Sequence, residues 1–281
     1  MHNNTLKWMA FRRRSILSLA VKIFSMIHKR DNMNCSYSEK ESAREKAFES
    51  IWTNDLDAVF SDVANYYDRA NVFASLGLLN RLRHRFISTI DIKPNDKVLD
   101  VCAGTNAVGI NLLKRQPILD VYAVDRSVAM QEVGRGLAQR HGFRINSLIC
   151  DVHHLPFPDN YFDVVTLQWA TRHLRVIKVF SEINRVLKPG GYFYHCDMLR
   201  PANKFVEDIY CLYLRACLSL ISRVFRSGSA SLKCRHYFIQ SIRMFYSTEE
   251  LSNVLSELGY SNIIGNSVLG GTVAFHKARK T

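Results

Sequence analysis

Apolar and polar positions alternate along residues 97–276 in two distinct periods. Short apolar runs near 97–102, 118–125, 145–151, 161–168, 191–197, 262–269 and 271–276 read as strands, most of them too continuously apolar to have a wet face. Helical spacing fills the intervals near 107–115, 127–141, 175–187 and 248–258. Thr248-Glu-Glu250 offers the last of these helices an N-cap with acids in its first turn, and Gly259 ends it. Alternating strands and helices require a parallel sheet with helices on both faces, an α/β architecture. A longer helical stretch, 204–226, carries Phe205, Ile209, Leu212, Tyr213, Ala216, Leu220 and Val224 at helical spacing. It reads as a helix packed on the sheet edge, as a lid over an apolar pocket, or as a surface touching a membrane. Residues 31–57 read as a polar, partly helical linker, and the folded domain is expected over 46–281.

The most informative stretch is Val98 to Asn106 followed by Val121 to Asp125. An apolar strand ends at Asp100, breaks into a small-residue turn at Gly104-Thr105, and passes through a helix to a second strand that ends in Asp125. Strand, turn, helix, strand and terminal acid form a nucleoside site: small residues let the backbone approach, and the acid accepts ribose hydroxyls. The phosphate spacing G-x-G-x-x-G and a Walker lysine are both absent, which points to a nucleoside without phosphates, S-adenosylmethionine (SAM) being the commonest. The Gly104-Thr105 turn would face the amino-acid end, Asp125 the ribose, and Asp151-Val152 the adenine edge; Asp100 is also expected at the cofactor.

Further motifs narrow the reading. Val59-Phe-Ser-Asp-Val-Ala-Asn-Tyr-Tyr-Asp68, Asn71, Trp169-Ala-Thr-Arg-His173, Asp197-Met-Leu-Arg-Pro201, Tyr237 and Gly270-Gly-Thr-Val-Ala-Phe-His276 resemble signature segments of the UbiE/COQ5 family over about residues 58–279. The resemblance implies a class I SAM-methyltransferase (Rossmann-like) fold, with seven strands, mostly parallel, and one antiparallel strand. It implies C-methylation of a polyprenyl benzoquinol ring in ubiquinone biosynthesis. The alternatives are demethylmenaquinol, another small phenol, or a catalytically weak subunit of a quinone-synthesis complex. A ring carbon becomes nucleophilic when the neighbouring phenol is ionised, so the site must stabilise negative charge and exclude water. Arg172 is expected to support the phenolate and His173 to act as a base near neutral pH. Tyr67 and Asp68, on the segment covering the pocket, are the further catalytic candidates, and Gln168 is expected at the cofactor. Asn106 replaces the last glycine of the SAM turn, Gln168 a serine, Trp169 a phenylalanine and His173 an asparagine; asparagine tolerates the left-handed conformation that such a turn needs.

Composition adds the setting. The chain has 281 residues, 47% of them hydrophobic, and a formal charge of +13. Residues 1–30 hold seven Lys/Arg and no acid, interspersed with bulky apolar residues. That pattern is too interrupted to span a bilayer. It fits a mitochondrial presequence or a helix lying on an anionic membrane, so residues 1–45 are expected to direct location. The destination would be the matrix side of the mitochondrial inner membrane or, in a bacterium, the cytoplasm and inner-membrane surface. Seven scattered cysteines with no C-x-x-C pair point to reduced thiols. His153-His154 is only an adjacent pair, so no metal is expected. No recognition motif argues for nucleic acid. Beyond the quinol, peripheral membrane contact, a quinone-biosynthesis complex and a homodimer are the expected partners.

Overall fold

The computed structural model describes residues 37–225 and 234–281. Its strands are β1 (Lys97–Val101), β2 (Asp120–Asp125), β3 (Asn146–Ile149), β4 (Phe162–Gln168), β5 (Leu187–Met198), β6 (Tyr260–Val268) and β7 (Val273–Lys280). They form one seven-stranded sheet in the order β3-β2-β1-β4-β5-β7-β6. β1 to β5 pair in parallel, and β7 enters antiparallel between β5 and β6. The strand order reverses between β1 and β4, which opens a crevice at the carboxyl ends of these strands. The expected α/β sheet, with its single antiparallel strand, is the one observed. Val98, Leu99 and Val101 of β1 are buried, as a central strand covered on both sides requires.

The intervening helices are α5 (Ala107–Arg115), α6 (Val128–Arg140), α7 (Val176–Val186), α8 (Lys204–Val224) and α10 (Thr248–Glu257). The cap of α10 is Ser247, one residue ahead of the expected Thr248. Its hydroxyl accepts the Glu250 N–H, and the Glu250 carboxylate accepts the Ser247 N–H, a reciprocal capping box.

Five helices were not resolved by the apolar pattern. These are α1 (Tyr37–Asn54), α2 (Leu56–Val63), α3 (Tyr67–Ala74), α4 (Leu78–Ser88) and α9 (Arg235–Arg243). Residues 41–281 form one packed unit, so the stretch read as a linker belongs to the domain from Glu41 onward. Residues 1–36 of the expected basic extension lie outside the described residues. The reason is visible in α1. Its inward face contains Phe48 and Trp52 but also Glu41 and Arg44, all buried. Arg44 is fully buried, pairs with Glu41 at 2.7 Å, and lies 4.8 Å from the Phe245 ring centroid. Its Nη2 donates to the carbonyl oxygens of Arg172 and Leu174, at 3.0 and 3.3 Å, while Nε is buried without a partner. The Tyr246 hydroxyl donates to Glu41 at 2.8 Å. A buried guanidinium is tolerable only with such partners.

His195 and His276 face each other across β5 and β7. The Thr248 carbonyl is an acceptor only, so His276 gives it the Nε2–H at 3.1 Å. His276 Nδ1 then accepts the Nδ1–H of His195 at 3.2 Å, and His195 Nε2 accepts the Thr171 hydroxyl at 2.7 Å. Each ring has one donor and one acceptor in use, which leaves no place for another proton. Burial pushes both imidazoles down, His276 to about 4.

Two predictions follow from this interior. Arg44→Met strands the Glu41 carboxylate, and urea unfolding should show a loss of about 3–5 kcal/mol; adding Glu41→Gln should recover part of it. The two histidines are charged in the unfolded chain below its ordinary pKa of 6.5 but neutral in the fold. Their contribution is therefore complete above pH 6.5 and is lost as pH falls toward about 4. Urea midpoints measured across that window should fall with pH, and the slope should flatten in His276→Gln.

Candidate active site

Two cavities meet at the carboxyl ends of β1, β2 and β4. The first, about 420 Å³, is lined by Asp100, Gly104, Thr105, Asp125, Asp151, Val152 and Gln168, among others. All seven residues expected around the cofactor therefore converge on one space. The second, about 220 Å³, is lined mostly by apolar residues of α2, α3, α4 and α8, together with Arg172. Phe60, Tyr67, Trp169 and His173 line both.

The turn after β1 is built for close approach. Gly104 has φ +53° and Asn106 φ +59°, so the asparagine that replaces a glycine occupies the left-handed region it tolerates. Asp125 Oδ2 accepts the Gly104 N–H at 2.8 Å, and Oδ1 accepts the Ser127 N–H at 2.9 Å. Burial raises the Asp125 carboxyl against these backbone donors. From α6, Gln131 donates to the Gly104 carbonyl and to Asn106 Oδ1, each at 2.9 Å. A Cβ on Gly134 would come within 2.9 Å of Thr105 and Asn106, so glycine lets α6 lie against the turn.

Asp100 is buried beneath the turn. Its Oδ1 accepts the Thr166 hydroxyl at 2.7 Å, while Oδ2 is buried without a partner. Burial pushes this carboxyl up to about 7. An unpartnered carboxylate oxygen on the cavity wall suits the ammonium of SAM's amino-acid end, and the residues present fit that cosubstrate. Burial pushes Asp151 up too, but the His153 N–H at 3.0 Å and ring Nδ1 at 2.6 Å outweigh it and hold the carboxyl below the usual range. His153 Nε2 accepts the Arg175 N–H at 3.1 Å, which assigns the ring hydrogen to Nδ1.

The residues expected to act on the acceptor separate. Arg172 lines the apolar cavity and pairs at 3.3 Å with Asp197, a fully buried carboxylate that also accepts the Thr171 N–H at 2.6 Å. Tyr67 sits at the join; burial raises its hydroxyl pKa, opposed by Arg172. Asp68 lines neither cavity. It accepts the Thr105 hydroxyl at 2.7 Å and Arg83 at 3.1 Å, so it fastens the covering segment to the cofactor turn. Arg83 also donates to Gln168 Oε1 at 3.3 Å. His173 is buried, and burial with the nearby Arg172 and Arg44 cations drives its pKa well below 6.5. It is therefore a poor proton acceptor at neutral pH, contrary to the expected base role. Trp169 holds φ +60°, a strained value for a bulky residue, at the join of the two cavities.

α8 walls the apolar cavity through Tyr210, Tyr213, Leu214 and Cys217, while Phe205 and Leu212 are exposed. Sequence reading gave Tyr237 only as part of the family resemblance, with no role, and assigned no site role to Arg83, Gln131, His153 or the α1 residues Glu49 and Trp52; of this second group one residue had a signal. Only α6's helical phase, which puts Gln131 near the turn, offered a signal for any of them. Among the described residues no group of three His, Cys, Asp or Glu could hold a metal ion, and no helix is long and apolar enough to cross a membrane.

A profile of the ubiE/COQ5 methyltransferase family matches residues 48–280. A ubiquinone/menaquinone biosynthesis C-methyltransferase, UbiE, from Burkholderia mallei (strain SAVP1) is 32% identical over 242 residues, covering 83% of this chain and 97% of the relative. The UbiE of Burkholderia cenocepacia (strain HI2424) is 30% identical over 239 residues with the same coverage. Among solved structures, Haemonchus contortus phosphoethanolamine N-methyltransferase 2 with SAM has TM-score 0.54 at 16% identity, covering 71% of this chain and 52% of that one. Geranyl diphosphate C-methyltransferase from Streptomyces coelicolor A3(2) has TM-score 0.53 at 16% identity, covering 75% and 82%. These two share the fold. The extent of the profile match, together with relatives aligned along nearly their whole length, establishes that the chain belongs to the ubiE/COQ5 methyltransferase family and is a SAM-dependent methyltransferase.

Proposed function

We propose that the protein methylates a ring carbon of a polyprenyl benzoquinol in ubiquinone biosynthesis. The observation that carries this reading is the pair of adjoining cavities, one bearing the carboxylates of Asp100, Asp125 and Asp151, the other mostly apolar with Arg172 at its wall. The Burkholderia relatives are named for both ubiquinone and menaquinone biosynthesis, which keeps a naphthoquinol as the second reading.

SAM supplies the methyl group: its S–CH₃ bond breaks as the new C–C bond forms at the ring. The protein's part is to hold the ring carbon in line with that methyl, since correct placement removes much of the barrier. Phe60, Tyr67 and Trp169 form the passage between cavities and exclude water. Arg172 faces the oxygen next to the reacting carbon and stabilises the phenolate formed when the phenol proton is lost to water; once the methyl is transferred, the ring proton is also released to water and aromaticity returns. Asp197 orients Arg172, and Asp125 accepts the ribose hydroxyls on the lone pairs left by Gly104 and Ser127.

The exposed Leu76, Phe205 and Leu212 beside the apolar cavity support contact with a membrane, where a polyprenyl acceptor resides. The basic segment 1–30 supports the same encounter or an import signal, and a fluorescent fusion of residues 1–45 distinguishes them. Accumulation in mitochondria of a eukaryotic host identifies a presequence; salt-sensitive binding to anionic vesicles identifies a surface helix.

Calorimetry should show SAM binding, weakened by about 1–3 kcal/mol in Asp125→Ala. Arg172→Ala should lower turnover by about 10²–10³ with SAM affinity nearly unchanged, and Arg172→Lys should recover only part. Thermal melts are needed beside the rates, because Arg172→Ala also strips Asp197 of its cation. An unchanged rate removes Arg172 from the chemistry. Mass analysis of quinones in a strain lacking the protein identifies the ring: loss of methylated benzoquinone supports the proposal, and loss of methylated naphthoquinone alone overturns it.

A further inference from the structure

His173 is held by two residues far away in sequence. Trp52, from α1, gives its indole N–H to the Tyr237 hydroxyl oxygen at 2.9 Å. That oxygen lies 2.5 Å from His173 Nδ1. An indole nitrogen can only donate, so the tyrosine oxygen is already accepting a hydrogen bond, and its own hydrogen is free to go to Nδ1. The opposite arrangement would put two donors on the tyrosine oxygen and leave its hydroxyl hydrogen without an acceptor in a buried place, at the cost of an unmade bond. Nδ1 is therefore the acceptor, and the ring hydrogen is on Nε2.

The ring is also fixed in orientation. Phe60 and Phe238 meet it nearly edge-on, at interplanar angles of 77° and 87°. The Arg172 and Arg44 cations disfavour an imidazolium. Among the described residues Nε2 takes no hydrogen bond, although His173 lines both cavities where they join.

We propose that Trp52 and Tyr237 are positioning residues that lock His173 in the Nε2–H tautomer, so that it meets the acceptor as a hydrogen-bond donor. The role at the acceptor rests on the methyl-transfer reading above; the lock does not. A donor at this point recognises a substrate oxygen beside the reacting carbon and shares with Arg172 the stabilisation of its developing charge. It does not take the phenol proton, because the nitrogen that faces the cavities already carries one. The site then selects phenolic or quinol acceptors over hydrocarbon rings, since a ring without that oxygen leaves Nε2–H buried and unpaired.

The test uses the full ¹⁵N-labelled chain, with the His173 ring resonances assigned by their disappearance in His173→Gln. Long-range ¹⁵N–¹H spectra should show a protonated Nε2 and a bare Nδ1 from about pH 6 to 8. Tyr237→Phe should give a mixture of tautomers and lower kcat by about tenfold, with SAM affinity retained. His173→Gln places an amide donor near the same point but cannot act as a base. It should keep turnover within about tenfold of the parent, whereas His173→Leu should lose about a hundredfold. A bare Nε2 or an imidazolium in the parent protein overturns the lock, and that reading stands even where Tyr237→Phe fails to fold. A His173→Gln rate as low as that of His173→Leu overturns the donor role. A parent protein that methylates no quinol defeats the proposed function, while the tautomer measurement still decides the lock.

Discussion

The carboxylate of Asp125 accepts the Gly104 N–H on one oxygen and the Ser127 N–H on the other, and so joins the turn after β1 to the start of α6. Everything at the cofactor end depends on that junction. With the turn fixed, Gln131 can reach the Gly104 carbonyl, Thr105 can present its hydroxyl to Asp68, and Asp100 is roofed over. Asp68 then brings α3 down onto the turn, and α3 carries Tyr67 to the join of the two cavities. A single strand-end acid thus connects the nucleoside end to the placement of a residue on the acceptor side.

The acceptor end is organised differently, by helix α1. Arg44 holds the backbone on either side of His173 through the carbonyls of Arg172 and Leu174, and Trp52 holds the side chain through Tyr237. Arg44 lies ahead of residue 48, where the family match begins. The helix therefore supplies part of the scaffold of the acceptor turn from beyond the matched region.

How much of this was readable in the chain follows from the range of the interactions. Most strands were legible because each is a local apolar run, and the β1 turn because small residues and a terminal acid lie within a few positions of one another. Helix α1 was not legible as part of the core because its inward face includes Glu41 and Arg44, which periodicity assigns to solvent. Arg172 and His173 were legible as a motif, but the state of the imidazole is set by Tyr237, 64 positions away. Asp68 was expected among the catalytic residues of the covering segment, yet its partners Thr105 and Arg83 make it a clasp that faces neither cavity. In each case the local pattern located the residue, and distant packing decided what it does.

The buried Asp100 carboxyl, raised to about 7 with one oxygen unpartnered, has a thermodynamic consequence. Near neutral pH a substantial fraction of it holds a proton. A cation brought against Oδ2 favours the ionised form, so its arrival expels that proton into solvent. Capture of a ligand ammonium there becomes an exchange of one positive charge for another rather than the burial of a new one. In the complex we propose, the apparent affinity therefore weakens as pH drops below about 7, and the heat of binding varies with the ionisation enthalpy of the buffer that receives the proton.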